Sequence, residues 1–127
     1  MRSHLQHYID GQWVDSEGGR TYRVIDPATE QPTTEITLGS AADVDKAVAA
    51  AKKAFAGWSQ TSVDDRIALL ERVIAEYKAR IPDLAAATSA EMGAPVSFAA
   101  AAQAPAGLGH LMSALAALTG FSFSENV

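Results

Sequence analysis

Of the 25 charged residues in this chain of 127, 24 fall within residues 2–91, and residues 92–124 contain none. A stretch of that length without a charge is seldom a surface, so it has to be buried in a larger body, held in an interface or placed in a membrane. Whatever 127 residues fold into, something must cover that segment, and the chain is long enough for one domain of ordinary size. As a membrane span, residues 98–123 are long enough for the roughly 20 apolar positions a crossing needs. However, the run is mostly alanine, Gln103, His110 and Ser113 interrupt it, and no Lys or Arg flanks it to anchor headgroups. Packing inside a larger protein is the stronger reading.

Other classes are excluded by composition. A net charge of −5 with no cluster of Lys and Arg beyond Lys52-Lys53 argues against a nucleic-acid partner, because phosphates must be neutralised by grouped cations. The cysteine count is zero, which removes disulfides, thiolate metal sites and a cysteine nucleophile from this chain. Met1-Arg2-Ser3-His4 leads into a polar segment without an apolar signal core, so a cytoplasmic location is the expectation.

Residues 8–38 read as strands and turns. Asp10-Gly11, between Tyr8-Ile9 and Trp13-Val14, suits a type I′ hairpin turn, since both residues tolerate positive φ. Thr21–Ile25 is a β-rich run stopped by Asp26-Pro27, and Glu35–Leu38 is the return strand. Residues 40–120 read as helices. Ser40 with Asp43 forms a cap pattern ahead of the stripe Val44, Ala47, Val48, Ala51, Phe55 and Trp58, with Gly57 as the stop. A second helix begins at Ser62 with Asp65 three residues on, and carries Ile67, Leu70, Ile74, Tyr77 and Ile81. Pro82 then reads as the first residue of a third helix that closes at Gly93. Pro95 opens a fourth helical stretch with a kink or break expected at Pro105, after which Leu111, Leu115 and Leu118 share a face up to Gly120. The fold class is mostly α with small N-terminal antiparallel β ribbons, in one domain over residues 1–127.

Isolated chemical signals are weak. His4 and His7 are spaced to share a helix face as a metal pair, but sit in a terminal segment that reads as frayed. His110, alone among leucines and alanines, reads as a hydrogen-bonded packing histidine. Gly107-Leu108-Gly109 begins like a dinucleotide fingerprint, yet Met112 stands where the third glycine belongs and no strand precedes it, so it reads as a helix irregularity. Asp64-Asp65 point about 100° apart on a helix and serve its N-terminus rather than acting as a catalytic pair.

Taken in order, His7-Tyr8-Ile9-Asp10-Gly11-Gln12-Trp13-Val14, Val24-Ile25-Asp26-Pro27-Ala28-Thr29-Glu30, Ala42-Asp43-Val44-Asp45-Lys46-Ala47-Val48 through Phe55 and Trp58, and Glu91-Met92-Gly93-Ala94-Pro95 resemble the opening of the NAD(P)-dependent aldehyde dehydrogenase superfamily. The resemblance covers nearly the whole chain from about Tyr8. It implies the N-terminal portion of an aldehyde-dehydrogenase-like α/β (Rossmann-like) fold, lacking the central parallel sheet: an incomplete cofactor-binding domain. The family's chemistry runs through a cysteine thiolate that forms a thiohemiacetal, hydride transfer to nicotinamide, and release of the acid by a glutamate-activated water. No catalytic or cofactor-binding residue of that scheme falls within this chain, which implies an inactive fragment. NAD or NADP belongs to the intact enzyme, with no cofactor expected on this chain alone.

Two further places are implied by the resemblance. Val24, Ile25 and Glu91 match a monovalent cation site built from backbone carbonyls and an acidic side chain, although a turn beside a helix-end glutamate is also an ordinary arrangement. Ala102 and Ala106 match positions lining the substrate tunnel, where small residues leave room for a bulky aldehyde; tight helix packing through alanine is the competing account. The expected partner is the remainder of the dehydrogenase, or another protomer, through residues 92–124. The alternative is a non-catalytic helical interaction or oligomerisation module that retains the family's front segment.

Overall fold

The computed structural model describes residues 2–123, with side chains from His4 onward; Ser124, the end of the charge-free segment, lies outside the described residues. The chain forms two compact units, one reaching to Gln60 and including Ala90–Gly93, the other comprising Thr61–Ser89 and everything from Ala94.

In the first unit, β2 (Gln6–Ile9) and β3 (Gln12–Asp15) form an antiparallel hairpin closed by Asp10 and Gly11, at φ 51° and 79°. That pair of positive angles is what a type I′ turn demands, and its twist matches that of the strands. Tyr8 and Trp13 stand opposite each other with ring centroids 5.2 Å apart. A second sheet has the order β1 (Arg2–His4), β5 (Pro32–Leu38), β4 (Arg20–Ile25). The ribbon between β4 and β5 is antiparallel, as expected. The added strand β1 runs parallel to β5, so residues 2–4 are paired and not frayed. His4 and His7 therefore sit on strands of different sheets, and the helix face that would have made them a metal pair does not exist.

Helix α1 (Ala41–Trp58) begins in a complete capping box: Asp43 N–H donates to Ser40 Oγ at 3.3 Å, and Ser40 N–H donates to Asp43 Oδ2 at 2.8 Å. It runs one residue past Gly57 and ends with Ser59 N–H on the Phe55 carbonyl, so Gly57 is an ordinary helical residue and not the stop. The alanines Ala47, Ala50, Ala51 and Ala54 line a cleft with Tyr8–Gly11. The larger apolar residues are about half exposed or more: Val44 58%, Val48 47%, Phe55 65% and Trp58 47%.

Helix α2 (Val63–Met92), which belongs to the second unit as far as Ser89, presents Ile67, Leu70, Ile74, Tyr77, Ile81 and Ala85 on its less exposed side. Pro82 lies inside this helix, contrary to the expected third helix. A mid-helix proline forfeits the bond to the carbonyl four residues back. Breaking the helix there would instead take Ala85 out of line with Ile74 and Ile81, and the core forms on that line. The core is small: Ala85, Ala99 and Ala104, 0–5% exposed, with Ile81 and Ala94 against them. Alanines at a crossing let two backbones approach closely.

The last helical stretch comprises α3 (Val96–Phe98), a π turn over Ala99–Gln103 and α4 (Ala104–Gly120). No break occurs at Pro105. The wide turn just before it, with Ala104 N–H on the Ala99 carbonyl, absorbs the irregularity, and Pro105 stands in the first turn of α4 where its missing N–H is least costly. His110 is exposed, correcting the expectation of a packed histidine. Among the described residues, no helix is long and apolar enough to cross a membrane.

Candidate functional site

Three local arrangements position the residues singled out above. The first is centred on Asp43, buried at 5% exposure. Its carboxylate accepts from Glu17 N–H at 3.0 Å, from the Ser16 hydroxyl and from Ser40 N–H at 2.8 Å. The Glu17 amide bond is the chief cause of a carboxyl pKa held far below the ordinary value, aided by Ser16 and Ser40 and opposed by desolvation. The Ser40 hydroxyl donates to the Glu17 carbonyl at 2.6 Å, and Lys46 pairs with the Glu17 carboxylate. One carboxylate thus caps α1 and ties the loop after β3 to it. The sequence pattern revealed the cap; the tie to Ser16 and Glu17, 26 or more residues away, left no local signal.

The second arrangement surrounds the proposed cation ligands. Asp26 Oδ1 accepts from Ala28 N–H at 2.7 Å and Thr29 N–H at 3.4 Å, an Asx turn whose Ala28 bond is the main cause of a lowered Asp26 pKa. Pro27, which follows, packs on Gly93: a Cβ on Gly93 would lie 2.8 Å from Pro27 Cγ. Gly93 itself has φ 70° and closes α2, as the sequence suggested. This contact joins the stretch holding Val24 and Ile25 to the one holding Glu91. Glu91 is exposed, and the Val24 carbonyl accepts the Thr33 hydroxyl at 3.3 Å. Among the described residues, no group of three His, Cys, Asp or Glu side chains is placed to hold a metal ion.

The third lies along the last helices. Ala102 and Ala106 are both exposed. Tyr77 Oη donates to the Ala104 carbonyl at 2.9 Å, and its ring lies over Gly107, where a Cβ would come within 2.7 Å of Tyr77 Cζ. Gly107-Leu108-Gly109 is therefore helix interior with a tyrosine above its first glycine, which does not fit a phosphate-binding turn. Tyr77 had been legible only as one of a stripe. Two buried polar atoms, His7 Nε2 and Gln103 Oε1, have no hydrogen-bond partner among the described residues.

Against known proteins, the profile of the Aldehyde dehydrogenase family matches residues 13–122. The 3-succinoylsemialdehyde-pyridine dehydrogenase of a Pseudomonas species is 47% identical over 128 residues, covering 100% of this chain and 27% of that protein. The crystal structure of an aldehyde dehydrogenase from Bartonella henselae superposes with a TM-score of 0.97 at 40% identity, over 100% of this chain and 27% of that one. That of aldehyde dehydrogenase C from Pseudomonas syringae, a mutant in complex with NAD+ and octanal, gives a TM-score of 0.94 at 41% identity over 97% of this chain and 25% of that one. The chain thus spans about a quarter of the length of the relatives it matches.

Proposed function

Because the chain belongs to the aldehyde dehydrogenase family and corresponds to its N-terminal part, we propose that it serves as a packing layer of an NAD(P)-dependent, cytoplasmic enzyme that oxidises aldehydes to acids, and that it is inactive alone. The observation that carries this reading is the exposed apolar face of α1, with Val44, Val48 and Phe55 all close to half exposed or more. A helix that leaves large apolar side chains about half exposed forgoes roughly half of the ~1.5–3 kcal/mol that full burial of each would bring, so the face is built for a cover. The remainder of the dehydrogenase is that cover.

The dinucleotide-like spacing Gly107-Leu108-Gly109 lies inside α4 beneath Tyr77 and does not fit the cofactor's phosphates, and the sequence has no cysteine to serve as the nucleophile. Within this proposal, Val24, Ile25 and Glu91 hold a monovalent cation in the intact enzyme; the Pro27 contact on Gly93, beside both segments, supports it. Ala102 and Ala106 line the aldehyde tunnel, their small exposed side chains leaving space for a bulky substrate.

The test is an aldehyde oxidation assay with NAD or NADP on the 127-residue chain and on the chain joined to the remaining three quarters of the enzyme. Turnover is expected from the joined protein alone. Turnover by the isolated chain would overturn the proposal. The second reading, an association module acting through residues 92–124, is favoured by the exposure of Met92, Val96, Phe98, Met112 and Phe121. Light scattering separates the two: a single defined oligomer supports the module, and a partly molten monomer or soluble aggregate supports the fragment.

A further inference from the structure

We propose that Tyr77 is a positioning residue that holds the rotational register of α4, and with it the direction in which Ala106 and Ala102 face. The inference rests on the tunnel reading above. Two contacts along the α4 axis carry it. Tyr77 Oη donates to the carbonyl of Ala104, the first residue after the π turn, at 2.9 Å. One turn on, the same tyrosine occupies the space a side chain would fill at Gly107, where a Cβ would sit 2.2 Å from Oη and 2.7 Å from Cζ. One contact lets a helix roll about it; two contacts three residues apart do not.

The π turn is why a lock is needed. Ala99–Gln103 carries one residue more than an α-helical turn, closed by Ala104 N–H on the Ala99 carbonyl. Loss of that surplus, with the turn closing as an ordinary α-helical one, would rotate everything on one side of it by about 100°. Ala104 and Gly107 face Tyr77, whereas Ala106 and Ala102 lie roughly 130–170° round the helix from the direction midway between those two and are exposed. A slip in register would exchange those two alanines for neighbours such as Gln103. Gly107, poor as a helix former, is thus explained by the close approach of Tyr77.

Two measurements decide the matter on Tyr77→Phe, which keeps the ring and removes the hydroxyl, and on Gly107→Ala, which pushes the ring away. In the full-length enzyme, amide hydrogen exchange should accelerate about tenfold within residues 103–109, with residues 63–76 little changed. Uniform acceleration over both helices, or none, would overturn the lock. In the full-length enzyme, the ratio of KM for octanal to KM for acetaldehyde should shift about threefold or more in both variants. A fall in melting temperature with an unaltered ratio would show a merely structural tyrosine and overturn the positioning role. Should the unmutated full-length enzyme oxidise no aldehyde, the functional reading fails, and the exchange result still decides whether Tyr77 holds the register.

Discussion

The backbone amide of Glu17 donates to Asp43 Oδ1 at 3.0 Å, joining the loop after β3 to the first turn of α1. With Ser16 and Ser40 on the same carboxylate, the charged form of Asp43 is favoured by folding, so its pKa lies well below the ordinary 3.8. A group depressed in this way contributes stability that is fully present above its unfolded value and lost as the pH falls toward the folded one. Asp43→Asn should therefore lower the denaturation midpoint at pH 7. The gap from the unmutated chain should narrow as the pH drops below about 4. Urea titrations from pH 7 to pH 3 on both proteins make the comparison; a gap independent of pH would remove the carboxylate from this role.

Glycines in two settings should respond oppositely to alanine. Gly93 has φ 70° and would bring a Cβ to 2.8 Å from Pro27 Cγ, so Gly93→Ala should cost about 1–3 kcal/mol. Gly109 lies inside α4 with nothing within 4 Å of a built Cβ. There, Gly109→Ala should add about 0.5–1 kcal/mol of stability. Thermal unfolding of the two variants reads both signs at once.

The buried and bare sides of the helices predict a second contrast. Ile74, at 7% exposure, should cost about 2–4 kcal/mol when cut to alanine. Phe55→Ser, at a site 65% exposed, should change the stability of the isolated chain by no more than about 0.5 kcal/mol. In the full-length enzyme the same substitution should be strongly destabilising, if that face is covered there. Equal small effects in both proteins would leave the α1 face without a cover.

In the hairpin, Gly11 has φ 79° and open space around it, so Gly11→Ala should cost about 1 kcal/mol through backbone strain alone. Lys53→Ala, which breaks a 3.3 Å pair with Asp10 between exposed side chains, should cost less than about 0.5 kcal/mol. Urea midpoints distinguish the two; a larger loss at Lys53 would mean the ion pair holds the turn to α1.

Local chemistry was enough to specify much of this chain. The Asp10-Gly11 turn, the Ser40 and Ser62 caps, the Gly93 stop and the stripe from Ile67 to Ile81 were all readable, because each depends on residues within a few positions of one another. Four features were decided by tertiary contact. Strand β1 forms because β5 offers it an edge. The helix runs through Pro82 because Ala85 belongs to the same core as Ala99 and Ala104. The irregularity moves from Pro105 to the π turn, and Gly107 is kept for Tyr77. Propensity and spacing act over three or four residues, whereas these outcomes turn on distant partners, as do the bonds of Tyr77 to Ala104, 27 residues away, and of Asp43 to Glu17 and Ser16, 26 and 27 away; no periodicity records such a pairing, because only the closed fold brings those groups within bonding distance.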